Sequence, residues 1–424
     1  MKYGLIGEKL GHSFSKEIHE RIADYNYELC EVAKEDFDEF FKNRDFISIN
    51  VTIPYKERVI PYLDYIDDIA LSIGAVNTVV NKDGKLYGYN TDYYGLKSLI
   101  EKRNIDVENK KVLILGTGGT SKTATAVVKT LGAKQIIYAA INGEIGTFTY
   151  EEVLEKHTDS EVIINTTPCG MYPKNDGLLI DINLFKNLIG VVDVVYNPLL
   201  TTILQNAKAN NLKYASGLYM LVSQAVYASA IFQDTEVSHD LIDEVFEEIY
   251  FQKQNIVLIG MPTCGKTTIG KELADKLGKT FVDVDALIEE EIQMPISEFL
   301  NKDNEKDFRD IEEKIVERIA KMNNLIISTG GGVIKRQVNI ERLKKNGVVV
   351  FIDRDVNLLM PASDRPLSSN LNDLKKLYNE RYEIYKIAAD IVVKNNTKKE
   401  ETPKEEIRYA DKSQNKVLKQ LKKY

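Results

Sequence analysis

Lys56 and Asp92 close two segments dense in polar side chains, Asn50-Val51-Thr52-Ile53-Pro54-Tyr55-Lys56 and Gly88-Tyr89-Asn90-Thr91-Asp92. A lysine beside a carboxylate can pass a proton to or from a substrate oxygen while the carboxylate orients both. His12-Ser13-Phe14-Ser15 and Ile73-Gly74-Ala75-Val76-Asn77-Thr78 add hydroxyl and amide groups, a set suited to a small hydroxylated substrate. The competing reading of the two charged residues is an ordinary surface ion pair. Farther along, Gly260-Met261-Pro262-Thr263-Cys264-Gly265-Lys266, followed by Thr267 and Thr268, spells a phosphate-binding loop. In such a loop backbone N–H groups hold phosphate oxygens, Lys266 gives a point charge to the β- and γ-phosphates, and the Thr267 hydroxyl ligates Mg2+. Cys264 inside it is either a redox handle beside a lysine or a small filler.

These groups need element ends to hold them. Ile256 to Ile259 reads as a buried strand, and Ile269, Leu273, Ala274 and Leu277 follow at helical spacing, so the loop joins strand to helix. Val112 to Leu115, the turn Gly116-Thr117-Gly118-Gly119-Thr120-Ser121 and a helix with Ala124, Ala126, Val127 and Leu131 repeat that order. This is either a tight structural turn or a site that brings a pyrophosphate against a helix N-terminus. Beside the polar set it suggests hydride transfer between an alcohol and a nicotinamide. Further strands at Gln135 to Ala139, Val162 to Asn165, Gly190 to Val195, Leu325 to Ser328 and Val348 to Ile352 alternate with helical patterns, which implies α/β architecture with parallel sheets.

The second half carries its own polar set. Phe281-Val282-Asp283-Val284-Asp285 places two aspartates at strand spacing, hence on one face. Phe308-Arg309-Asp310-Ile311-Glu312 opens a helix whose arginine is held by Glu312 or Glu313, and Arg381 lies on a late helix. Two arginines are what a substrate carboxylate requires. Ser328-Thr329-Gly330-Gly331-Gly332 ends a strand in glycines that admit close backbone approach, and Arg365-Pro366-Leu367 occupies a loop-like stretch suited to a lid.

With 424 residues, 43% hydrophobic and 28% charged, the chain has the composition of a soluble globular protein of two to three domains. A net charge of -8 argues against a general nucleic-acid binder. No apolar run approaches the ~20 residues of a membrane span, and the start Met1-Lys2-Tyr3-Gly4 enters a strand instead of a signal peptide. Cys30, Cys169 and Cys264 are scattered and odd in number, which points to a reducing cytoplasm. Ser238 to Phe251 reads as a closing helix, so the expected domains are 1–254 and 255–396, with a charged tail at 397–424. The tail reads as a solvated extension, the alternative being a docking helix through Val417, Leu418 and Leu421.

Together with Asn165-Thr166-Thr167-Pro168-Cys169-Gly170-Met171, Asp193-Val194-Val195-Tyr196-Asn197-Pro198 and Gly217 to Ala225, the segments of the first half resemble shikimate dehydrogenase over about residues 1 to 250. The resemblance implies a substrate lobe at about 1–95, with returning helices at about 225–250, and a Rossmann lobe at about 96–224. It makes Lys56 the acid/base and Asp92 its partner. Ser13, Ser15, Thr52, Asn77, Tyr196 and Gln224 would line the shikimate pocket, while Gly116 to Thr120, Val194 and Gly217 approach NADP. One departure stands out: where that family carries an arginine for the 2′-phosphate, this chain reads Tyr138-Ala139-Ala140-Ile141-Asn142-Gly143, so weak discrimination against NAD is expected. The crossover after it, Glu144 to Ser160, is short for a full helix and strand.

The second half resembles shikimate kinase over about residues 255 to 396. That resemblance implies Asp285, Arg309, Gly331 and Arg381 around shikimate, Thr267 and Asp283 at Mg2+, and Lys266 and Arg365 at the phosphates of ATP, with Asp285 orienting the 3-hydroxyl. Thr263 stands where that family usually has glycine, and Ser368-Ser369 where a second leucine is common. The joint expectation is a bifunctional enzyme acting on small molecules. Two other readings stay open: a quinate enzyme that prefers NAD, and a non-catalytic sensor of shikimate or quinate, against which the intact Lys56, Asp92, Lys266, Asp283 and Asp285 argue. Oligomeric state is open.

Overall fold

The computed structural model describes all residues except 12, 144–145, 174–176, 301–303, 361–369, 397–416, 420 and 422–424. The chain divides into two compact units, Met1–Phe251 and Gln252–Tyr424.

The first unit opens with six strands: β1 (Tyr3–Gly7), β2 (Tyr27–Glu31), β3 (Ser48–Val51), β4 (Tyr65–Ile66), β5 (Thr78–Lys82) and β6 (Lys85–Tyr89). They form one sheet in the order β2-β1-β3-β5-β6-β4. β1 is parallel to β2 and β3, whereas β5 is antiparallel to both β3 and β6. The expectation of parallel sheets does not extend to this one, because Asp83 and Gly84 both take positive φ (53° and 81°), the hairpin geometry that folds β5 straight back into β6. Helices α1 (Ser15–Ile22), α2 (Phe37–Asn43) and α3 (Asp68–Ile73) connect these strands. Asp67 caps α3 by accepting from the N–H groups of Ile69 and Ala70, and Gly74, at φ 71°, ends it.

Helix α4 (Thr91–Lys102) then leads into a second sheet. Its strands β7 (Lys111–Leu115), β8 (Gln135–Ala139), β9 (Val162–Asn165), β10 (Gly190–Asp193) and β11 (Lys213–Ser216) lie in the order β11-β10-β9-β7-β8, all parallel. Val112 to Leu115 and Val162 to Ile164 are wholly buried, as helices on both faces require. Those helices are α5 (Gly119–Thr130), α6 (Tyr150–Lys156) and α7 (Thr202–Ala209). Among the described residues the crossover from β8 to β9 holds the short α6, opened by a Thr149/Glu152 capping box.

Helix α8 (Leu218–Gln233) returns to pack against α4, and α9 (His239–Lys253) closes the unit, with Ser238 Oγ accepting from Leu241 N. The returning helix therefore starts at Leu218, earlier than the expected 225, because Gly217 at its N-terminus begins a mostly buried apolar run. A Cβ on Gly95 of α4 would stand 2.7 Å from the Met220 carbonyl oxygen, so glycine sets how closely α4 and α8 approach.

The second unit has one parallel sheet. Strands β12 (Asn255–Ile259), β13 (Thr280–Asp283), β14 (Leu325–Ser328), β15 (Gly347–Asp353) and β16 (Ile391–Lys394) lie in the order β13-β14-β12-β15-β16. Around it run α10 (Lys266–Leu277), α11 (Val284–Ile292), α12 (Ile296–Leu300), α13 (Glu305–Ala320), α14 (Gln337–Asn346) and α15 (Leu371–Ala388). Helix α13 begins before Phe308 and turns Phe308, Glu312, Ile315, Val316 and Ile319 into the core at helical spacing.

Two expectations change here. Asp283 and Asp285 do not share a strand face: Asp283 ends β13 and caps α11 by accepting from Asp285 N at 3.1 Å, which puts Asp285 in the first helical turn. The tail is also not solvated throughout, since Val417 is fully buried in the core cluster of this unit and Leu418 and Leu421 pack against it. Three apolar residues at helical spacing outweigh their lysine neighbours.

Gly95→Ala should destabilise the first unit by about 1–3 kcal/mol through overpacking. Urea unfolding of the full chain should show its first-unit transition shifted and its second-unit transition in place; an unchanged first transition would contradict the close approach.

Candidate functional site

Lys56 and Asp92 meet where the loop after β3 reaches the first turn of α4, at the carboxyl ends of β3 and β6. Lys56 Nζ lies 2.5 Å from Asp92 Oδ2, with both side chains less than one-fifth exposed. Burial of this degree separates the pair from a solvated surface ion pair. Asn90 caps α4 through Tyr93 N, which fixes the turn that carries Asp92, while Val76 N donates to the Lys56 carbonyl and holds the opposite loop.

Asn77 sits between them. Its Oδ1 accepts from Thr91 N at 2.7 Å, Thr91 Oγ1 at 3.2 Å and Thr78 Oγ1 at 3.0 Å. With the oxygen so committed, the amide presents N–H groups as its donor end. Thr91 Oγ1 also reaches Gln224 of α8 at 3.4 Å. Behind this row, Asn50 donates to Thr78 Oγ1 and to the Asn77 carbonyl and accepts from the Tyr27 hydroxyl at 2.7 Å. The ring of His19 stacks on Tyr27 at 3.9 Å and its Nδ1 lies 2.7 Å from the Tyr25 hydroxyl. Burial holds His19 down at about 3. Asn50 and Thr91 stand in the segments that carry the resemblance, yet nothing in their spacing marks them as supports.

Ser13 and Ser15 stand at the N-terminus of α1, their hydroxyls 3.1 Å apart. Thr52 follows β3, its N–H donating to the Ile6 carbonyl, and Tyr196 packs its ring 5.2 Å from Phe14.

The glycine loop follows β7, where the chain leaves toward β8 on one side while the neighbouring β9 leads away on the other. Ligands bind at such switch points. Gly116 takes φ 102°, and a Cβ there would press on Thr166 and Thr167, whereas Gly118 and Gly119 face open space. Gly118 caps α5 and Thr120 lies in its first turn. Thr117 lines a cleft of about 670 Å3 that runs along α5 past Ser121, Lys122 and Thr125 and does not include Lys56 or Asp92.

Across the loop, Asp193 at the end of β10 accepts from Asn165 Nδ2, Val195 N and Thr201 Oγ1, which ties the β9 and β10 loops together around Val194. Burial nevertheless pushes Asp193 up to about 6. A Cβ on Gly217 would overlap the Val194 carbonyl. These residues fit a dinucleotide, while Ile141 is 80% exposed and no arginine stands between 138 and 143.

In the second unit Gly265, at φ 101°, turns the chain into α10, and Lys266 Nζ rests 3.0 Å from the carbonyls of Gly260 and Met261. Cys264 is fully buried, as a filler would be, and Thr268 is exposed beside Thr267 at the start of α10. Thr267 Oγ1 donates to Asp283 Oδ2 at 2.9 Å. A hydroxyl and a carboxylate so paired fit Mg2+, which takes few protein ligands when phosphates supply the rest.

Arg309 pairs with Glu312 at 2.7 Å, and not with Glu313, which binds Arg336 and Arg342. Burial holds the Glu312 carboxyl above its usual range in spite of that partner. The guanidinium of Arg309 lies against Gly332, Arg381 donates to the Gly331 carbonyl at 2.8 Å, and the nearest atom to a Cβ on Gly330 would be Asp285 Oδ1 at 2.5 Å. The buried Nε atoms of both arginines have no hydrogen-bond partner. Tyr385, one turn after Arg381, also donates to the Gly331 carbonyl, at 2.5 Å, a contact that its i+4 spacing could have signalled. Arg365 lies outside the described residues.

Between pH 6.5 and about 3 the unfolded chain takes up a proton at residue 19 that the folded chain refuses. First-unit stability should therefore fall as pH falls through that window, by at most about 1.4 kcal/mol per unit. Urea unfolding at pH 7 and pH 5 should show this slope in the wild type and a flatter one in His19→Asn; equal slopes would contradict a neutral buried imidazole.

Residues 5–79 match the family model for the shikimate dehydrogenase substrate binding domain, and residues 262–421 match that for shikimate kinase. The chain is 40% identical over 266 residues to a shikimate dehydrogenase (NADP(+)) of Clostridium perfringens, covering 58% of this chain and 97% of that protein. Among solved structures, shikimate dehydrogenase 1 of Peptoclostridium difficile is 37% identical with a TM-score of 0.54, covering 59% of this chain and 98% of its own. The enzyme of Thermus thermophilus in complex with NADP(H) and shikimate is 27% identical with a TM-score of 0.53, covering 58% and 99%. Read with the Lys56–Asp92 pair and the phosphate loop, these likenesses place the chain in the shikimate dehydrogenase family with a shikimate kinase domain following, a bifunctional enzyme of the shikimate pathway.

Proposed function

We propose that the first unit reduces 3-dehydroshikimate to shikimate with NADPH and that the second transfers the γ-phosphoryl group of MgATP to the shikimate 3-hydroxyl, consecutive steps toward chorismate. The Lys56–Asp92 pair at 2.5 Å carries the first reading. When bound, the nicotinamide would supply hydride to the carbonyl carbon. Lys56 donates a proton to the carbonyl oxygen, and Asp92 orients the ammonium. Ser13 and Ser15 receive the carboxylate at the start of α1. Thr52, Asn77, Tyr196 and Gln224 bind the ring hydroxyls, while Gly116 to Thr120, Val194 and Gly217 shape the cofactor's bed.

The second reading is carried by two buried arginines, Arg309 and Arg381, converging on the Gly330 to Gly332 turn with Nε atoms that no hydrogen bond satisfies. A substrate carboxylate satisfies such donors. Asp285, beside Gly330, orients the acceptor hydroxyl and takes its proton. Lys266 and backbone N–H groups of the loop Gly260 to Thr268 hold the transferring phosphates, Arg365 is assigned to them by the family resemblance alone, and Thr267 and Asp283 hold Mg2+. Product and substrate then match across the two units. Three cysteines without disulfides suit the cytoplasm.

Supplied with 3-dehydroshikimate, NADPH, Mg2+ and ATP, the purified chain should form shikimate 3-phosphate. Lys56→Ala should cut NADPH oxidation by roughly 10²–10⁴-fold and leave phosphorylation of added shikimate. Lys266→Ala should do the reverse, and loss of both activities in either variant would contradict independent sites. The exposed Ile141 and the lack of a nearby arginine support modest cofactor selectivity. The ratio of kcat/KM for NADPH over NADH should stay below about a thousandfold, or ~4 kcal/mol; a larger ratio would refute it.

A further inference from the structure

Thr263, at the tip of the phosphate loop, takes φ 60° in the left-handed region, where a β-branched residue is a genuine outlier. Its hydroxyl makes two bonds to the backbone of one residue, donating to the Met360 carbonyl at 2.9 Å and accepting from Met360 N at 3.2 Å. The loop follows β12, and Met360 lies in the segment after β15, the neighbour of β12 in the sheet. From these strand ends the chain departs toward β13 and β16, on opposite sides, so the bond spans a switch point at which ligands bind.

The loop's other shoulder is tied from below. Asn395 donates to the Cys264 carbonyl at 2.9 Å, and Arg354 holds the carbonyls of Asn395 and Leu358 at 3.0 Å each. Both residues are buried, whereas Thr263 and Met360 are exposed, and the Thr263 hydroxyl anchors the loop's tip. Glycine would accept this backbone without strain but could not make the tie.

We propose that the Thr263 hydroxyl positions the phosphate loop against the Met360 backbone and thereby sets nucleotide affinity. The inference rests on the reading of this unit as a MgATP-dependent kinase. Thr263 is a positioning residue, and its effect falls on binding and not on phosphoryl transfer.

The test is calorimetric titration of the full chain with MgADP, which needs no acceptor, together with steady-state kinetics in ATP and the dehydrogenase rate of the same preparation. Thr263→Ala and Thr263→Gly should each weaken MgADP and raise KM for ATP by roughly three- to tenfold, as one or two lost hydrogen bonds imply. kcat should stay within about twofold, and Thr263→Ser should restore affinity. Wild-type affinity in both Thr263→Ala and Thr263→Gly would overturn the proposal, as would a Thr263→Ser variant as weak as Thr263→Ala. A chain that binds MgADP as expected yet phosphorylates no shikimate would sink the kinase reading and leave the tether standing.

Discussion

A parallel sheet brings the carboxyl ends of its strands to one edge, and the glycine loops after β7 and β12 are both built along such an edge. The constraint is steric before it is chemical. Gly116 and Gly260 leave their strands at φ 102° and 149°, and a side chain at either would press on a neighbouring strand's loop or end, Thr167 in one case and the Ile352 carbonyl in the other. Only glycine fits at these two positions, which leaves the backbone there free to approach a phosphate closely.

The charged groups depend on the same edges but meet a different cost. Asp193, Glu312 and Arg309 are taken largely out of water, and each is supported by several hydrogen bonds or by an opposite charge. Burial still wins over those partners at Asp193 and Glu312, whose carboxyls sit above their usual range. Such pairs add little net stability. What they do is hold loops in one arrangement: Asp193 joins the ends of β9 and β10, and Glu312 keeps the Arg309 guanidinium against Gly332.

The sequence was most legible where one local signal decides. Apolar runs marked β8, β9 and β14 to the residue, and the phosphate loop named its own strand and helix. Asp283 and Asp285 misled because period-2 spacing cannot show that a strand ends at the first of two acids and that its carboxylate caps the following helix. The roles of Asn50, Thr91 and Asn395 depend on partners brought together by tertiary packing, which no spacing encodes. Val417 is of the same kind: its burial is decided by a groove that exists only once the sheet has formed.

The join between the two units has a consequence for biosynthesis. Helix α9 ends at Lys253 and β12 begins at Asn255, and β12 is the central strand of its sheet, buried along its whole length. Its first partner, Leu325 of β14, lies 70 residues downstream. At ~5–20 residues per second the ribosome needs roughly 4–14 s to make that partner. For that interval the first unit is followed by an apolar strand whose sheet neighbours have yet to be made.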